Sequence, residues 1–332
     1  MSDAIFRKLP SLPGTLLACA LLACILAFSP GTGHGADAVK PTSIGMAYLE
    51  NDIHHLALWV GMDRGIFGEE GIAPDIRGVF RAGPELMSGF ASGELEAAYV
   101  GEAPSVIAAV RGTAKIKLLA QANTEGSAIV GVGDLASKKG KAPTIALPGR
   151  GGVQDVLLRK ALPKLGLPPG GPEIVVIGPA EMQPALLTGQ IDAFVAWEPY
   201  VAKAVGTGKA RVIASSATIW PGHPCCALVV SERLVKEHPE RVRALLRAHR
   251  RATSWIGAHK DEAAAIAVAR TGMDLDTVKR AMDNVTYTAV PDMAGLKEYL
   301  AFLKGQGIIE LADIDAFAGS FVLTGFWEGK AD

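Results

Sequence analysis

Charge of one sign is missing from this chain. Its 33 basic and 34 acidic residues leave a net charge of -1, so the composition carries no electrostatic footprint for a nucleic acid backbone, and nucleic acid is a poor candidate partner. Cysteine is scarce as well. Of the four in the sequence, Cys19 and Cys24 lie near the N-terminus, which leaves the adjacent pair Cys225 and Cys226 for the body of the chain. Such a pair cannot build a stapled disulfide framework. There is no fixed-period repeat and no low-complexity tract. Nor is there a nucleophile elbow, a Walker loop, a zinc-protease helix or a four-cysteine metal spacing. Catalysis therefore has no positive support, and no cofactor or metal is called for.

What is present is apolar material. Hydrophobic residues make up 49% of 332 and charged residues only 20%, enough for two compact lobes. The first 38 residues read as an export signal: Arg7 and Lys8 form a basic start, Thr15 to Phe28 an apolar run, and Ala36-Asp37-Ala38 a small-x-small cleavage site. That run is shorter than the roughly 20 residues a membrane-spanning helix needs. Leu21-Leu22-Ala23-Cys24 resembles a lipobox, but Ile25 to Phe28 continue the apolar run past the cysteine, which disfavours a lipid anchor there. Removal of the signal takes away two bases and two acids, Arg7, Lys8, Asp3 and Asp37, and leaves the net charge unchanged.

From Thr42 onward, strand-like runs alternate with amphipathic stretches, the pattern of an α/β fold with mainly parallel sheets. Ile44, Met46 and Tyr48 alternate as in a strand, and Asn51 is placed to cap a helix carrying Ile53, Leu56, Ala57 and Val60. A strand from Leu95 to Val100 precedes a helix with Pro104 in its first turn. The middle third repeats this logic with strands at Thr144 to Leu147, Glu173 to Ile177 and Ile191 to Ala196. The last third has one strand, Ala227 to Val230, and then mostly helix, with Ser231 as a cap and Pro239 opening a long element. The order predicts a first lobe over residues 39–125, a second over 126–222, and a return to the first over 223–332. Two lobes joined by two crossings leave a cleft between them.

Ligands of open α/β sheets bind beyond the carboxyl ends of strands, where helix N-termini offer unpaired N–H groups. The candidate junctions are Asn51 to His55, Gly101 to Ser105, Arg150 to Gln154 and Trp197 to Tyr200, with the loop Trp220 to Cys226 at the return crossing. Glu102 and Ser105 bring a carboxylate and a hydroxyl to a helix mouth, although Glu102 there equally complements the helix dipole. Arg150-Gly151-Gly152 could cradle an oxyanion through its amides, or simply make a tight turn. His54 and His55 are adjacent, so at most one is expected to face the cleft; solvated surface or core hydrogen bonding is their bland alternative. Trp197, beside Glu198, and Trp220 offer aromatic faces to an apolar or cationic ligand portion, or serve as core. Cys225 and Cys226 could form a vicinal disulfide, whose Cα separation of about 3.8 Å is below the usual disulfide range. Two buried thiols, or soft-metal ligands with His223, are the competing readings.

Taken together, the stretches Asn51 to Gly71, Ala98 to Gly112, Thr144 to Lys160, Met182 to Tyr200 and His223 to Glu240 resemble the nitrate/sulfonate/taurine-type family of periplasmic substrate-binding proteins, which is itself similar to binding proteins for thiamine precursors. The resemblance implies a two-lobed type II periplasmic binding fold that closes on a small-molecule ligand and presents it to an ABC transporter permease. It further implies an exported, periplasmic protein that works as a monomer. The family's ligand contacts fall on Asn51, His54 and His55; on Glu102, Ala103 and Ser105; on Arg150, Gly151, Gly152 and Gln154; on Trp197 and Glu198; and on the loop before Cys225, with Trp220 and His223, while Cys225 and Cys226 join the candidate ligand-binding set on their own chemistry. Two acids among these disfavour a bare inorganic anion and suit a ligand that is zwitterionic, hydroxyl-bearing or heteroaromatic. The rival readings are an enzyme resembling the thiamine pyrimidine synthases, which share the fold, and a sensory binding protein that signals to a receptor.

Overall fold

The computed structural model describes residues 41–327, apart from 134, 136–141, 168 and 169. The expected export segment, with Cys24, lies outside the described residues. None of the described helices is long and apolar enough to cross a membrane.

Two sheets form the frame. The first has six strands in the order β11-β4-β10-β3-β1-β2, and the second five in the order β7-β6-β8-β5-β9. Their ranges are β1 Thr42–Leu49, β2 Ile72–Phe80, β3 Ala97–Gly101, β4 Ile116–Glu125, β5 Ser127–Gly131 and β6 Thr144–Leu147. The remainder are β7 Glu173–Val176, β8 Ala193–Trp197, β9 Arg211–Ser215, β10 Pro224–Ser231 and β11 Val285–Tyr287. Helices pack over both sheets, as their sequence alternation requires. Val242, Leu245 and Leu246, spaced along one stripe of the helix Pro239–Ala258, are buried, each such side chain contributing about 1.5–3 kcal/mol. A smaller core holds Ile145, Leu147, Leu158 and Val195 under the second sheet.

Both sheets are mixed, where the sequence predicts mainly parallel ones. β1 runs parallel to β2 and β3, and β6 to β7 and β8, but β10 and β5 run against their neighbours. The reason is topological. Each of these two strands enters its sheet directly from the other lobe, so it starts at the end where its neighbours finish. The chain leaves the first sheet after Glu125, enters the second at Ser127, and returns between Ser215 and Pro224.

The crossings are tied to each other. Glu125 N–H donates to His223 O at 3.2 Å, and Gly222 N–H donates to the Glu125 carboxylate at 2.8 Å. Glu125 and Gly126 both have positive φ, 64° and 80°, so the first crossing is a sharp reversal that favours glycine at its second position.

Candidate functional site

The carboxyl ends of β1, β3 and β4 and the first residues of β10 meet beside the first crossing, and a cluster of buried polar side chains gathers there. Asp52, His54, His55, Glu102, Gln121, Asn123, Glu198 and His223 are all buried. Burial of this many ionisable groups is costly unless each is paired or serves a ligand.

The turn after β1 differs from the expected cap. Asn51 adopts φ 51°, and Asp52 instead caps a short 3-10 helix, Ile53–His55, by accepting from His54 N at 3.0 Å. This tight helix turns both imidazoles inward around one carboxylate. His54 Nδ1 lies 3.2 Å from Asp52 Oδ1, and His55 Nε2 lies 3.6 Å from Asp52 Oδ2. Both are fully buried and each also stands beside Cys226, and His55 Nδ1 accepts from Leu49 N at 3.3 Å, the core hydrogen bonding that the sequence offers as their alternative role. Asn51 turns to the second lobe and donates to Tyr200 OH at 3.3 Å.

His54 reaches the crossing itself, its Nε2 donating to Gly126 O at 2.9 Å. Glu198 N donates to the same carbonyl at 2.9 Å. A Cβ on Gly126 would stand 2.2 Å from His54 Nε2, so close approach as well as φ demands glycine. Burial pulls the His54 pKa down, but the Asp52 and Cys225 charges outweigh it and raise it to about 9. Burial lifts Asp52 to about 7 against the pull of His54, and it holds His55 well below its ordinary value.

Cys225 and Cys226 are not in a loop, as the sequence suggests, but open β10. The register slips between Pro224 and Cys226 and again between Cys226 and Ala227. Such bulges defeat the usual alternation of side chains, and both sulfurs reach His54 Nδ1 at 3.6 Å. They are free thiols 3.9 Å apart; the vicinal disulfide is not formed. A hydrogen bond from Cys226 and the His54 charge together hold the Cys225 thiol well below its usual range.

Glu102 stands at the start of the helix Glu102–Val110 with neither carboxylate oxygen hydrogen-bonded. Burial raises its pKa to about 8, with a smaller lowering from Gln121. The Gln121 amide is already engaged, donating to Cys226 O at 2.9 Å and Asn123 O at 3.2 Å. Behind it, His249 donates to Gln121 O at 2.7 Å and accepts from Tyr99 OH at 2.8 Å; burial depresses its pKa to about 4, so the ring is neutral. Ala103 is fully buried beside Glu102, and Ser105 donates to Gly101 O at 2.8 Å.

From the second lobe, Glu198 accepts from Ala202 N at 2.9 Å and from Asn284 Nδ2 at 2.7 Å. Burial raises it to about 7. Trp197 is buried with its indole N–H unpaired. The Arg150–Gln154 turn is internally satisfied: Gly151 N donates to Asp155 at 2.8 Å, and Gln154 donates to Ser127 Oγ at 3.1 Å. Arg150 donates to Ile174 O at 3.2 Å and lines a groove of about 550 Å³ between the two lobes, with Pro84, Met87 and Ile107 on one side and Gly151 and Arg159 on the other. Gly152 caps the helix Val153–Ala161 and offers no side chain.

Trp220 packs on His223 and on Tyr299, at ring separations of 5.7 Å and 4.7 Å, with Lys160 Nζ 3.7 Å over its face. His223 donates from Nδ1 to Trp220 O at 3.1 Å, which leaves Nε2 unpaired, as is Tyr299 OH. Sequence reasoning missed Asp52, Gln121, Gly126, Asn284 and Tyr299. Tyr299 is spaced with Leu296 and Leu303 on one buried helix face, the pattern of a core residue.

Residues 37–271 match the NMT1-like family. The nitrate import ATP-binding protein NrtC of Synechococcus elongatus is 39% identical over 102 residues, 30% of this chain. The chain spans only 16% of that protein's length and 28% of a second curated relative's. Two solved structures share the fold over most of their length. The periplasmic nitrate-binding protein NrtA of Synechocystis superposes with a TM-score of 0.77 at 17% identity, covering 87% of this chain and 88% of that one. The alkanesulfonate-binding protein SsuA of Xanthomonas axonopodis, bound to MOPS, gives 0.70 at 18%, covering 84% and 98%. The architecture is thus the two-lobed α/β fold of periplasmic binding proteins.

Proposed function

The chain belongs to the NMT1-like family, and from that premise we propose that it is the substrate-binding component of an ABC importer. It is exported by residues 1–38, acts in the periplasm as a monomer, captures a small organic solute without altering it, and hands it to the importer's permease. One observation carries this reading. Four buried side chains at the meeting of the lobes, Glu102, Trp197, His223 and Tyr299, hold polar atoms with no hydrogen-bond partner. Unpaired buried polar atoms cost about 1–3 kcal/mol each, and a ligand that pairs them offsets that cost.

Those atoms describe the ligand. Both Glu102 oxygens are open, and the carboxyl, raised to about 8, is mostly protonated at neutral pH. It therefore both accepts and donates. Trp197 Nε1 donates, and in the neutral ring His223 Nε2 accepts, since Nδ1 donates to Trp220 O. A zwitterionic or hydroxyl-bearing solute of the sulfonate class, or a polar heteroaromatic compound of the thiamine-precursor class, matches this mixture. Nitrate has acceptors only and leaves His223 unsatisfied.

Ligand contacts to Glu102 on one side and Trp197 on the other exist together only when the lobes are closed, so binding favours the closed form. A thermal-shift panel of nitrate, sulfonates, amino-sulfonates, pyrimidines and small carboxylates tests the site. A specific ligand raises the melting temperature in proportion to its affinity and is recovered unchanged. X-ray scattering with that ligand is expected to show a smaller radius of gyration. Identical scattering with and without it would sink the closure mechanism, and a chemically altered product would favour an enzyme.

A further inference from the structure

The triangle formed by His54, Cys225 and Cys226 has the dimensions of a metal site. Its edges are 3.6 Å and 3.6 Å from nitrogen to the two sulfurs and 3.9 Å between the sulfurs. Bonds of about 2.3 Å to sulfur and about 2.05 Å to nitrogen, in a plane or a tetrahedron, require S···S edges of about 3.8–4.0 Å and N···S edges of about 3.5–3.8 Å. The observed triangle fits both shapes with the side chains where they stand. We propose that these three residues bind a thiophilic d10 cation, copper(I) or zinc(II).

Two further features support the assignment. The Gly126 carbonyl can only accept, so His54 holds a hydrogen on Nε2, which leaves Nδ1, turned toward the sulfurs and toward Asp52, as the nitrogen to ligate. A carbonyl that orients an imidazole through its far nitrogen is the usual outer support of a ligating histidine. In addition, all three residues are buried, at 0%, 0% and 3% exposure for His54, Cys225 and Cys226, where a dry soft-donor set selects a soft ion. Three donors suffice for copper(I); zinc(II) needs a fourth, from water or the captured solute. On binding, both sulfurs bond as thiolates and His54 Nδ1 through its lone pair, so two protons leave the three groups together, with no change of oxidation state.

The inference stands apart from the importer assignment, since its test uses no organic solute and no permease. Reduced mature protein is titrated anaerobically with copper(I) held by a chromogenic chelator, and in a parallel arm with zinc(II) and a zinc indicator. One equivalent should transfer in at least one arm. Cys225→Ser and Cys226→Ser should each weaken it on the order of a hundredfold, and prior oxidation of the pair should abolish it. Circular dichroism checks that the variants are folded. X-ray absorption on the loaded wild-type protein, which needs no variant, should show two sulfur neighbours and one nitrogen. Failure of reduced protein to take either ion, undiminished uptake in the serine variants, or a first shell of nitrogen and oxygen alone would overturn the proposal.

Discussion

The Gly101–Ser105 and Arg150–Gln154 junctions occupy equivalent places, each a strand end leading into a helix, yet they handle polar groups in opposite ways. At the second, the carboxylate of Asp155 takes the Gly151 amide and two contacts from Arg159, so the glycine-rich turn has already closed on an anion of its own. At the first, Glu102 is equally buried but has both oxygens open. A glycine-rich turn therefore advertises an anion cradle that its own helix fills, whereas the less conspicuous junction keeps its capacity for a ligand. Internal satisfaction stabilises; its absence binds.

Substitutions that separate stability from binding sharpen this contrast. The largest effect is expected for Asp155→Ala, which strands the Gly151 amide and Arg159. Denaturant unfolding should show a loss of about 2–3 kcal/mol, with ligand affinity little changed once folded. Next, Glu102→Gln should cost about a hundredfold in affinity for the best ligand of the thermal-shift panel, measured by calorimetry. Its stability should move by less than about 1 kcal/mol at pH 7, because the wild-type group is already mostly neutral. If Glu102→Gln unfolds the protein and Asp155→Ala abolishes binding instead, the contrast is reversed.

A smaller effect concerns pH. The Glu102 pKa is raised from 4.5 to about 8 by burial, so between those values the folded chain holds a proton that the unfolded chain has lost. Its contribution is complete below pH 4.5 and disappears as pH rises through about 8. Melting temperatures of the wild type should thus fall more steeply over this window than those of Glu102→Gln, even though Glu198, raised to about 7, adds the same slope to both. Parallel curves would remove Glu102 from the account. The smallest effect belongs to Arg150→Ala: its guanidinium donates to Ile174 O and lines a groove that includes none of Glu102, Trp197, His223 and Tyr299, so ligand affinity should change by less than about threefold. A large loss there would place the ligand in that groove.

Much of the frame was legible because it is written locally. Ser231 accepts from Leu234 N as a cap should, Pro239 opens the long helix, and the strand at Thr144–Leu147 has its expected limits. The site was less legible because long-range pairing builds it. Cys225 and Cys226 share a face only through the slipped register with β4, 100 residues earlier in the chain, and nothing in their neighbourhood announces that slip. His54 and His55 converge because Asp52, not Asn51, caps their turn and tightens it into a 3-10 helix. Tyr299 sits on a stripe whose spacing is that of core residues, and its unpaired hydroxyl has no counterpart in a hydropathy pattern.

The position of β10 sets an order of assembly. It lies in the interior of the first sheet, between β3 and β4, but is synthesised after every strand of the second sheet. The second sheet is drawn from one unbroken stretch, β5 to β9, and can collapse on contacts close in sequence, while the first must wait for a strand about a hundred residues late. During synthesis the N-terminal sheet therefore emerges with a gap at its middle, β3 and β4 bare along their inner edges, and that gap closes with the arrival of the cysteine-bearing strand, the edge strand β11 joining later still.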